Sequence, residues 1–342
     1  MIEKPQGRSA GPALLLRKRR ELSGLTACRL TREDITSYMA GHLQSESLPP
    51  SPPSVATGLI GKLRTTLEMI KFEHSIFALP FALVGAMLAV RGWPTGRQVL
   101  WLTVAMVGAR SAAMTFNRIA DRKFDALNPR TRMRALPAGR LTLRFAVGFT
   151  ALSCGVLTLA AWELSPLAFK LSPLAIAVLL LYSYTKRFTL LSHLVLGIAD
   201  GLAPVAAWIA LRNNVSASVL LLGAAVAFWV GGFDLIYACQ DIEFDRRVGI
   251  HSFPQRFGIA AALYGSIGCH LGMVGLLTEV IRLEKLGRLA VAGLVLMACL
   301  LAYEHWIVRP TDLSRLNAAF FNVNGYIALI FFFTWGGDLL IH

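Results

Sequence analysis

Two groups of polar side chains, both rich in aspartate, lie at the ends of apolar segments. The first group is Asn117, Asp121 and Asp125, and the second is Asp234, Asp241 and Asp245. A step of four residues leaves a helical side chain only about 40° from its starting direction, so the first group forms a stripe along one helix face. Carboxylate and amide oxygens are the ligands that Mg²⁺ prefers, and Mg²⁺ keeps positions open for substrate phosphates. The two stripes predict a site for divalent cations.

Basic side chains follow both stripes. The loop from Leu127 to Arg140 contains several arginines and no acid, and a basic turn at Lys186 and Arg187 ends another apolar segment. Arginine binds phosphate oxygens as a planar fork, whereas lysine acts as a point charge. Acids that hold metal and bases that hold phosphate are together the groups that would stabilise a leaving diphosphate.

The elements that must position these groups are transmembrane helices. The chain has 342 residues, of which 55% are hydrophobic and only 16% are charged, against about 25% charged in soluble domains. Segments of roughly 18 residues or more can cross a hydrocarbon layer about 30 Å thick. We therefore predict an all-helical, polytopic membrane protein of about nine spans. Their approximate ranges are 72–90, 99–120, 145–164, 167–184, 190–211, 219–239, 259–281, 289–306 and 318–341.

The formal net charge of +14 fits basic loops on the cytoplasmic side of a membrane better than nucleic-acid binding. With the basic amino terminus in the cytoplasm, the loops after the even-numbered spans face the same side. Both acidic stripes and the Lys186 turn then share the cytoplasmic face. Residues 1–57 contain a proline-serine tract and are predicted to form a flexible cytoplasmic tail, or to reflect a start codon placed too far upstream. Residues 58–342 are predicted to form the membrane domain.

The acids have two possible explanations. They are either interfacial carboxylates paired with nearby arginines, or metal ligands. A carboxylate at the membrane centre costs about 2.5–3.5 kcal/mol, and less near the interface. Two stripes that end on the same face favour the metal site, and its position within the membrane suggests a substrate with a lipid-like tail. His193 and His251 belong to no metal-ligand spacing, and we expect both to be structural or interfacial.

A family resemblance rests on motifs that occur in a fixed order. The run Asn117-Arg-Ile-Ala-Asp-Arg-Lys-Phe-Asp125 resembles the first Asp-rich motif of the UbiA superfamily of intramembrane prenyltransferases. Tyr182-Ser-Tyr-Thr-Lys186 is similar to the family's Tyr-x-x-x-Lys element, and Asp241-Ile-Glu-Phe-Asp245 to its second Asp-rich motif. The resemblance extends from about residue 70 to the carboxyl end.

The resemblance implies a helical bundle with a central cavity and a cap of cytoplasmic loops. It also implies Mg²⁺-dependent transfer of a polyprenyl group from its diphosphate to an electron-rich aromatic ring. The implied metal ligands are Asn117, Asp121, Asp125, Asp241 and Asp245. The implied diphosphate contacts are Lys186 and Arg134, followed by Arg130, Lys123, Arg187 and Tyr182. Asp234 would orient or deprotonate the aromatic acceptor, and Arg110 would either meet its carboxylate or pair with an intramembrane aspartate.

One position departs from the motif. Arg118 stands where many members of the superfamily have the first aspartate. A Phe-Asn-Arg sequence here resembles a branch of quinone-pathway enzymes that includes naphthoate prenyltransferases of menaquinone synthesis. The leading acceptor is therefore 4-hydroxybenzoate, and a dihydroxynaphthoate is the second. An ion-coupled transporter is the alternative from another class, because intramembrane acids also mark ion pathways.

Overall fold

The computed structural model describes residues 58–70, 79–313, 315, 316 and 322–341. Every regular element in these ranges is a helix, apart from one isolated bridge between Arg309 and Asp312. The predicted tail, residues 1–57, lies outside the described residues, as do the first residues of the predicted first and ninth spans.

Twelve α-helices and one 3-10 turn follow one another along the described chain. They are α1 Gly58–Ile70, α2 Leu79–Val90, α3 Gly96–Leu127, α4 Leu143–Leu164, α5 Pro166–Thr185, α6 Ser192–Arg212, α7 Ala217–Ala238, the 3-10 turn Cys239–Asp241, α8 Ile242–Val248, α9 Phe253–Phe257, α10 Ile259–Glu284, α11 Arg288–Ile307 and α12 Asn324–Ile341. The nine predicted spans correspond to α2–α7 and α10–α12. Eight described helices are long and apolar enough to cross a membrane, and α2 is a shorter apolar helix of 12 residues.

Side-chain caps explain why several of these helices begin where they do. The Thr95 side chain accepts a hydrogen bond from the Gln98 N–H, and Gln98 bonds back to the Thr95 backbone, which makes a capping box at the start of α3. Ser165 and Ser216 cap α5 and α7 in the same way, each accepting from the backbone N–H three residues on. Caps matter in these loops because the first N–H groups of a helix have no partner inside it.

The main core lies between α2, α6, α7 and α10–α12. Phe81 stacks on Phe331 with ring centroids 4.4 Å apart, and Trp229 lies 4.9 Å from Phe81. Helix α3 packs against α4. With 32 residues, α3 is about 48 Å long at 1.5 Å per residue, so it is longer than the hydrocarbon layer is thick. Its last turns, which carry the first stripe, extend to one end of the bundle, which we call the polar end.

Candidate active site

The first stripe lies on the last turns of α3, and each of its aspartates has a basic partner. Asp121 is 3% exposed and accepts a hydrogen bond from Lys186 Nζ at 2.5 Å. Asp125 is 6% exposed and accepts from Arg134 Nη1 at 2.7 Å. The second oxygens, Asp121 Oδ1 and Asp125 Oδ2, have no hydrogen-bond partner among the described residues. Two buried carboxylate oxygens thus remain available to a ligand.

The second stripe lies where α7 gives way to the 3-10 turn and α8. Arg130 binds Asp241 as a fork, with Nε–Oδ1 at 3.1 Å and Nη2–Oδ2 at 2.5 Å. Burial lowers the pKa of the Arg130 guanidinium, but the hydrogen bond and charge of Asp241 outweigh burial and raise it above its usual value. Asp245 accepts from Ser252 Oγ at 2.7 Å. Because Arg130 follows α3 in the chain, its bond to Asp241 brings the two stripes into one site.

The basic turn after α5 completes the polar end. Besides the bond from Lys186 to Asp121, the Lys186 carbonyl accepts the His251 N–H at 3.0 Å, which ties this turn to the loop after α8.

Arg187 donates to the Ala120 carbonyl at 2.6 Å and lies over the Tyr184 ring, 4.7 Å from its centroid. Arg187 therefore braces the end of α3. Lys123 is exposed and projects from the outer part of α3.

Asn117 and Tyr182 lie about one helical turn further into the bundle than Asp121 and Lys186. The Asn117 side-chain oxygen accepts from Arg118 Nη1 at 3.4 Å. Arg118 lies within reach of the charges of Asp121 and Asp125 and of the Tyr182 side chain. The residue that departs from the family motif is therefore part of the site.

A separate group of polar side chains lies deeper between α3, α6 and α7. His193 Nδ1 is 2.6 Å from Asp234 Oδ2. Asp200 is close enough to Arg110 and Asp234 for their charges to act on it. Arg110 precedes Asp121 by eleven residues, a distance of about 16 Å along a straight helix. The structure thus places the two residues predicted for the acceptor, Asp234 and Arg110, beside the same deep polar group.

His193 and Asp200 belong to this group but were not among the site residues expected from the sequence. Both lie on α6, which is otherwise an apolar helix apart from its end. They are seven residues apart, close to two helical turns, so they share one face. That spacing was the available signal, but His193 belongs to no metal-ligand spacing and was therefore expected to be structural or interfacial.

The residues at the polar end fit a divalent cation by their chemistry, although their present geometry favours ion pairs. Within the described chain, no group of three or more His, Cys, Asp or Glu side chains is arranged to hold a metal ion. Instead, Asp121, Asp125 and Asp241 each hold a basic side chain. The oxygen-only donor set and the two unpartnered carboxylate oxygens suit Mg²⁺ once the basic groups turn toward an anionic substrate.

A sequence profile described as the UbiA prenyltransferase family matches residues 78–335. The chain belongs to the UbiA prenyltransferase family. It is accordingly an enzyme that transfers prenyl groups and an integral, multi-pass membrane protein. The predicted superfamily, the all-helical fold and the prenyltransferase class are confirmed.

Similarity to a curated relative and to solved structures extends over most of this UbiA-family chain. It is 32% identical to a 4-hydroxybenzoate octaprenyltransferase of Tolumonas auensis over 244 residues, which cover 71% of this chain and 85% of the relative. The apo structure of a UbiA homologue from Aeropyrum pernix K1 is 36% identical and matches with a TM-score of 0.71, covering 78% of this chain and 98% of the other. A UbiA homologue from Archaeoglobus fulgidus, bound to GPP and Mg²⁺, matches with a TM-score of 0.59 at 18% identity and covers 81% of this chain and 100% of the other.

Proposed function

We propose that this UbiA-family protein transfers a polyprenyl group from polyprenyl diphosphate to 4-hydroxybenzoate in a Mg²⁺-dependent reaction. The observation that carries the proposal is the interlocking of acids and bases at the polar end. Three carboxylates there are each paired with a different basic side chain, through Asp121–Lys186, Asp125–Arg134 and Asp241–Arg130. A diphosphate with its cations would replace these pairs without leaving a charge unpaired.

The residues divide between metal and phosphate by their chemistry. Asn117, Asp121, Asp125, Asp241 and Asp245 supply oxygen ligands, and magnesium bound there would neutralise the diphosphate and favour its departure. Lys186, Arg134 and Arg130 turn from the aspartates to the diphosphate oxygens. Tyr182 lies near Arg118 and Asp121, and Lys123 and Arg187 contribute positive charge from the outer edge. When the diphosphate binds, it draws the basic groups away from the carboxylates and frees them for magnesium. Substrate binding is thereby coupled to the assembly of the metal site.

The acceptor is proposed to bind deeper in the bundle. Asp234 would orient or deprotonate the hydroxyl of the acceptor. Arg110 would bind the carboxylate of the acceptor, as an arginine fork commonly does. An acceptor placed there would present its ring to the prenyl carbon that leaves the diphosphate. Support for a hydroxybenzoate comes from the similarity to the 4-hydroxybenzoate octaprenyltransferase of Tolumonas auensis.

The test is an assay on the purified, detergent-solubilised protein with a polyprenyl diphosphate, Mg²⁺ and 4-hydroxybenzoate. Prenylation should depend on Mg²⁺ and disappear with EDTA. Asp121→Ala and Asp241→Ala should each lose about 10²-fold or more in rate, since each removes charge from the place where the diphosphate leaves. Glu243→Ala is the matched control, because Glu243 lies between Asp241 and Asp245 in the chain but its side chain is 88% exposed. Unchanged product formation in both aspartate variants would contradict the proposed site.

A dihydroxynaphthoate is the second candidate acceptor, favoured by the position of Arg118. This arginine lies inside the site, beside Asn117 and the charges of the first stripe. A parallel assay with a dihydroxynaphthoate decides between the two rings. If only the naphthoate is prenylated, the protein belongs to the menaquinone branch and is still an aromatic prenyltransferase.

We further propose that the polar end faces the cytoplasm of the cell, in the inner or plasma membrane. The basic loops support this orientation because Lys and Arg concentrate in cytoplasmic loops. The opposite end carries exposed pairs of mixed charge, such as Arg97 with Glu163 at 2.9 Å. The amino-terminal tail would then also be cytoplasmic.

A further inference from the structure

We infer that His193 is the base that takes the proton from the acceptor hydroxyl and that Asp234 is the positioning residue that holds it. This inference rests on the proposed function and assigns a role within the deep polar group. His193 is the second residue of α6, and Asp234 lies near the end of α7. Their side chains meet at 2.6 Å between Nδ1 and Oδ2.

The backbone around this pair leaves little room for movement. Helices α6 and α7 approach so closely that a Cβ on Gly197 would lie 2.1 Å from the Ala227 carbonyl oxygen. Gly231, one turn before Asp234, would place a Cβ 3.6 Å from the His193 carbonyl. The two helices therefore hold the imidazole and the carboxylate in fixed register.

The remaining ring nitrogen is the chemically significant atom. His193 is 7% exposed, and its Nε2 is buried with no hydrogen-bond partner among the described residues. A buried polar atom without a partner is costly, so it calls for an explanation, and a catalytic role is one of those that such atoms commonly have. A carboxylate bonded to Nδ1 favours the tautomer with its proton on Nδ1, which leaves a lone pair on Nε2. This is the arrangement of a general base.

The location suits the acceptor and also the diphosphate. Asp234 belongs to the same deep group as Arg110, where the acceptor is proposed to bind, and His193 is near enough to Asp245 for their charges to interact. Within the deep polar group, His193 therefore lies on the side that approaches the polar end. We assign Nε2 to the acceptor hydroxyl, and a bond from Nε2 to the diphosphate is the competing outcome of the test.

The step balances in atoms and electrons. The acceptor O–H bond breaks, its proton moves to Nε2, and the electron pair stays on the oxygen and feeds the ring. A ring carbon then bonds the prenyl carbon, whose bond to oxygen breaks with both electrons leaving on the diphosphate. The ring C–H bond returns its electrons to the ring and its proton to a diphosphate oxygen, and the carbonyl oxygen recovers the proton from His193.

The kinetic experiment compares wild type with His193→Gln and Asp234→Asn, using 4-hydroxybenzoate and a ring-fluorinated 4-hydroxybenzoate with a more acidic hydroxyl. We expect His193→Gln to lower kcat by about 10²-fold with an unchanged KM for polyprenyl diphosphate. The loss should be smaller with the more acidic acceptor. A double variant that combines Asp234→Asn with His193→Gln should lose little more than His193→Gln alone. A rise in KM for the diphosphate with unchanged kcat, or the same loss with both acceptors, would overturn the inference.

A binding experiment tests the proton transfer without turnover. The probe is 4-hydroxy-3-nitrobenzoate, a phenol whose ionised form absorbs visible light, added at a pH where the free probe is mostly protonated. We expect the ionised band on binding to wild type and its loss in His193→Gln. If wild type prenylates the acceptor but wild type and His193→Gln bind the probe in the same ionisation state, the inference is refuted and the proposed function stays intact. A wild-type protein that prenylates neither ring refutes the proposed function, and the inference with it.

Discussion

At the residue scale, the site depends on which basic group each aspartate holds. The Asp121 side chain is 5% exposed, and its partner Lys186 is 30% exposed. The Asp241 side chain and its partner Arg130 are more open, at 24% and 38%. The two pairs therefore differ in how easily water and ions reach them, and they are expected to respond differently to substitution.

Lys186→Met should weaken diphosphate binding. The variant keeps most of the side-chain volume but loses the charge that is proposed to leave Asp121 for a phosphate oxygen. A hydrogen bond to a charged group contributes about 1.5–3 kcal/mol, so KM for polyprenyl diphosphate should rise about 10- to 100-fold, with little change in KM for the acceptor. Steady-state kinetics with each substrate varied in turn measures both. Lys170→Met, an exposed lysine near the other end of α5, is the control, and an equal effect there would contradict the assignment.

Arg130→Gln should change metal and diphosphate binding in opposite directions. Arg130 holds both oxygens of Asp241, so without substrate it competes with a cation for that carboxylate. The variant should bind Mn²⁺ more tightly in the absence of diphosphate and bind polyprenyl diphosphate more weakly. An electron paramagnetic resonance titration of free Mn²⁺, with and without diphosphate, gives both affinities. Weaker Mn²⁺ binding in the absence of diphosphate would show that Arg130 supports the metal site instead of competing for it.

At the element scale, the contact of α6 with α7 places the deep polar group and carries the second stripe to the polar end. Glycines allow this contact: a Cβ on Gly201 would lie 2.3 Å from the Gly223 carbonyl oxygen. Small residues let membrane helices approach closely, and close packing stabilises helix pairs where lipid supplies no hydrophobic driving force. A change at this interface should therefore affect the site even though no site residue is altered.

Gly197→Ala should destabilise the protein and lower its activity. The added Cβ would collide with the backbone oxygen of Ala227, which cannot rotate away as a flexible side chain would. Overpacking of this kind typically costs about 1–3 kcal/mol. Thermal unfolding in detergent, followed by tryptophan fluorescence, should show a lower Tm, and the prenylation assay a lower kcat. Gly275→Ala in α10 is the matched control, because a Cβ there meets nothing within 4 Å, and an equal loss in both variants would refute the packing argument.

At the scale of the whole molecule, charge distribution distinguishes the two ends of the bundle. One end joins the stripes to the basic loops, and the other carries pairs such as Arg91 with Glu284 at 2.5 Å. Charged side chains lie at both ends and the helices between them are apolar, as a protein crossing a bilayer requires. The positive-inside rule supports the proposal that the polar end faces the cytoplasm.

Cysteine labelling should verify this orientation. In a cysteine-free background, Glu243→Cys places a thiol at the polar end, and Val215→Cys places one in the exposed loop between α6 and α7 at the other end. A membrane-impermeant maleimide should label Val215→Cys in intact cells and Glu243→Cys only in inverted vesicles. Labelling in the reverse pattern would show that the protein has the opposite orientation in the membrane, with the same fold.

The sequence was sufficient for the spans, the fold class and the family. Apolar length is a local property, because a helix that crosses lipid must satisfy its own backbone hydrogen bonds and needs a fixed number of apolar residues. The motifs around Asn117, Lys186 and Asp241 are local as well, since i, i+4 spacing alone places side chains on one helix face. These features require no knowledge of which helix contacts which.

Only the tertiary structure decided which charges meet. Arg130 and Asp241 are 111 residues apart in the chain, and Lys186 and Asp121 are 65 apart, so no spacing rule pairs them. His193 shows the same limit: its sequence neighbours Ser192 and Leu194 carry no charge, and it becomes a candidate base only because α6 and α7 pack closely enough to bring Asp234 to its Nδ1. Local sequence therefore determined which side chains the protein possesses at each helix end. Helix packing, a long-range property, determined which of them act on one another.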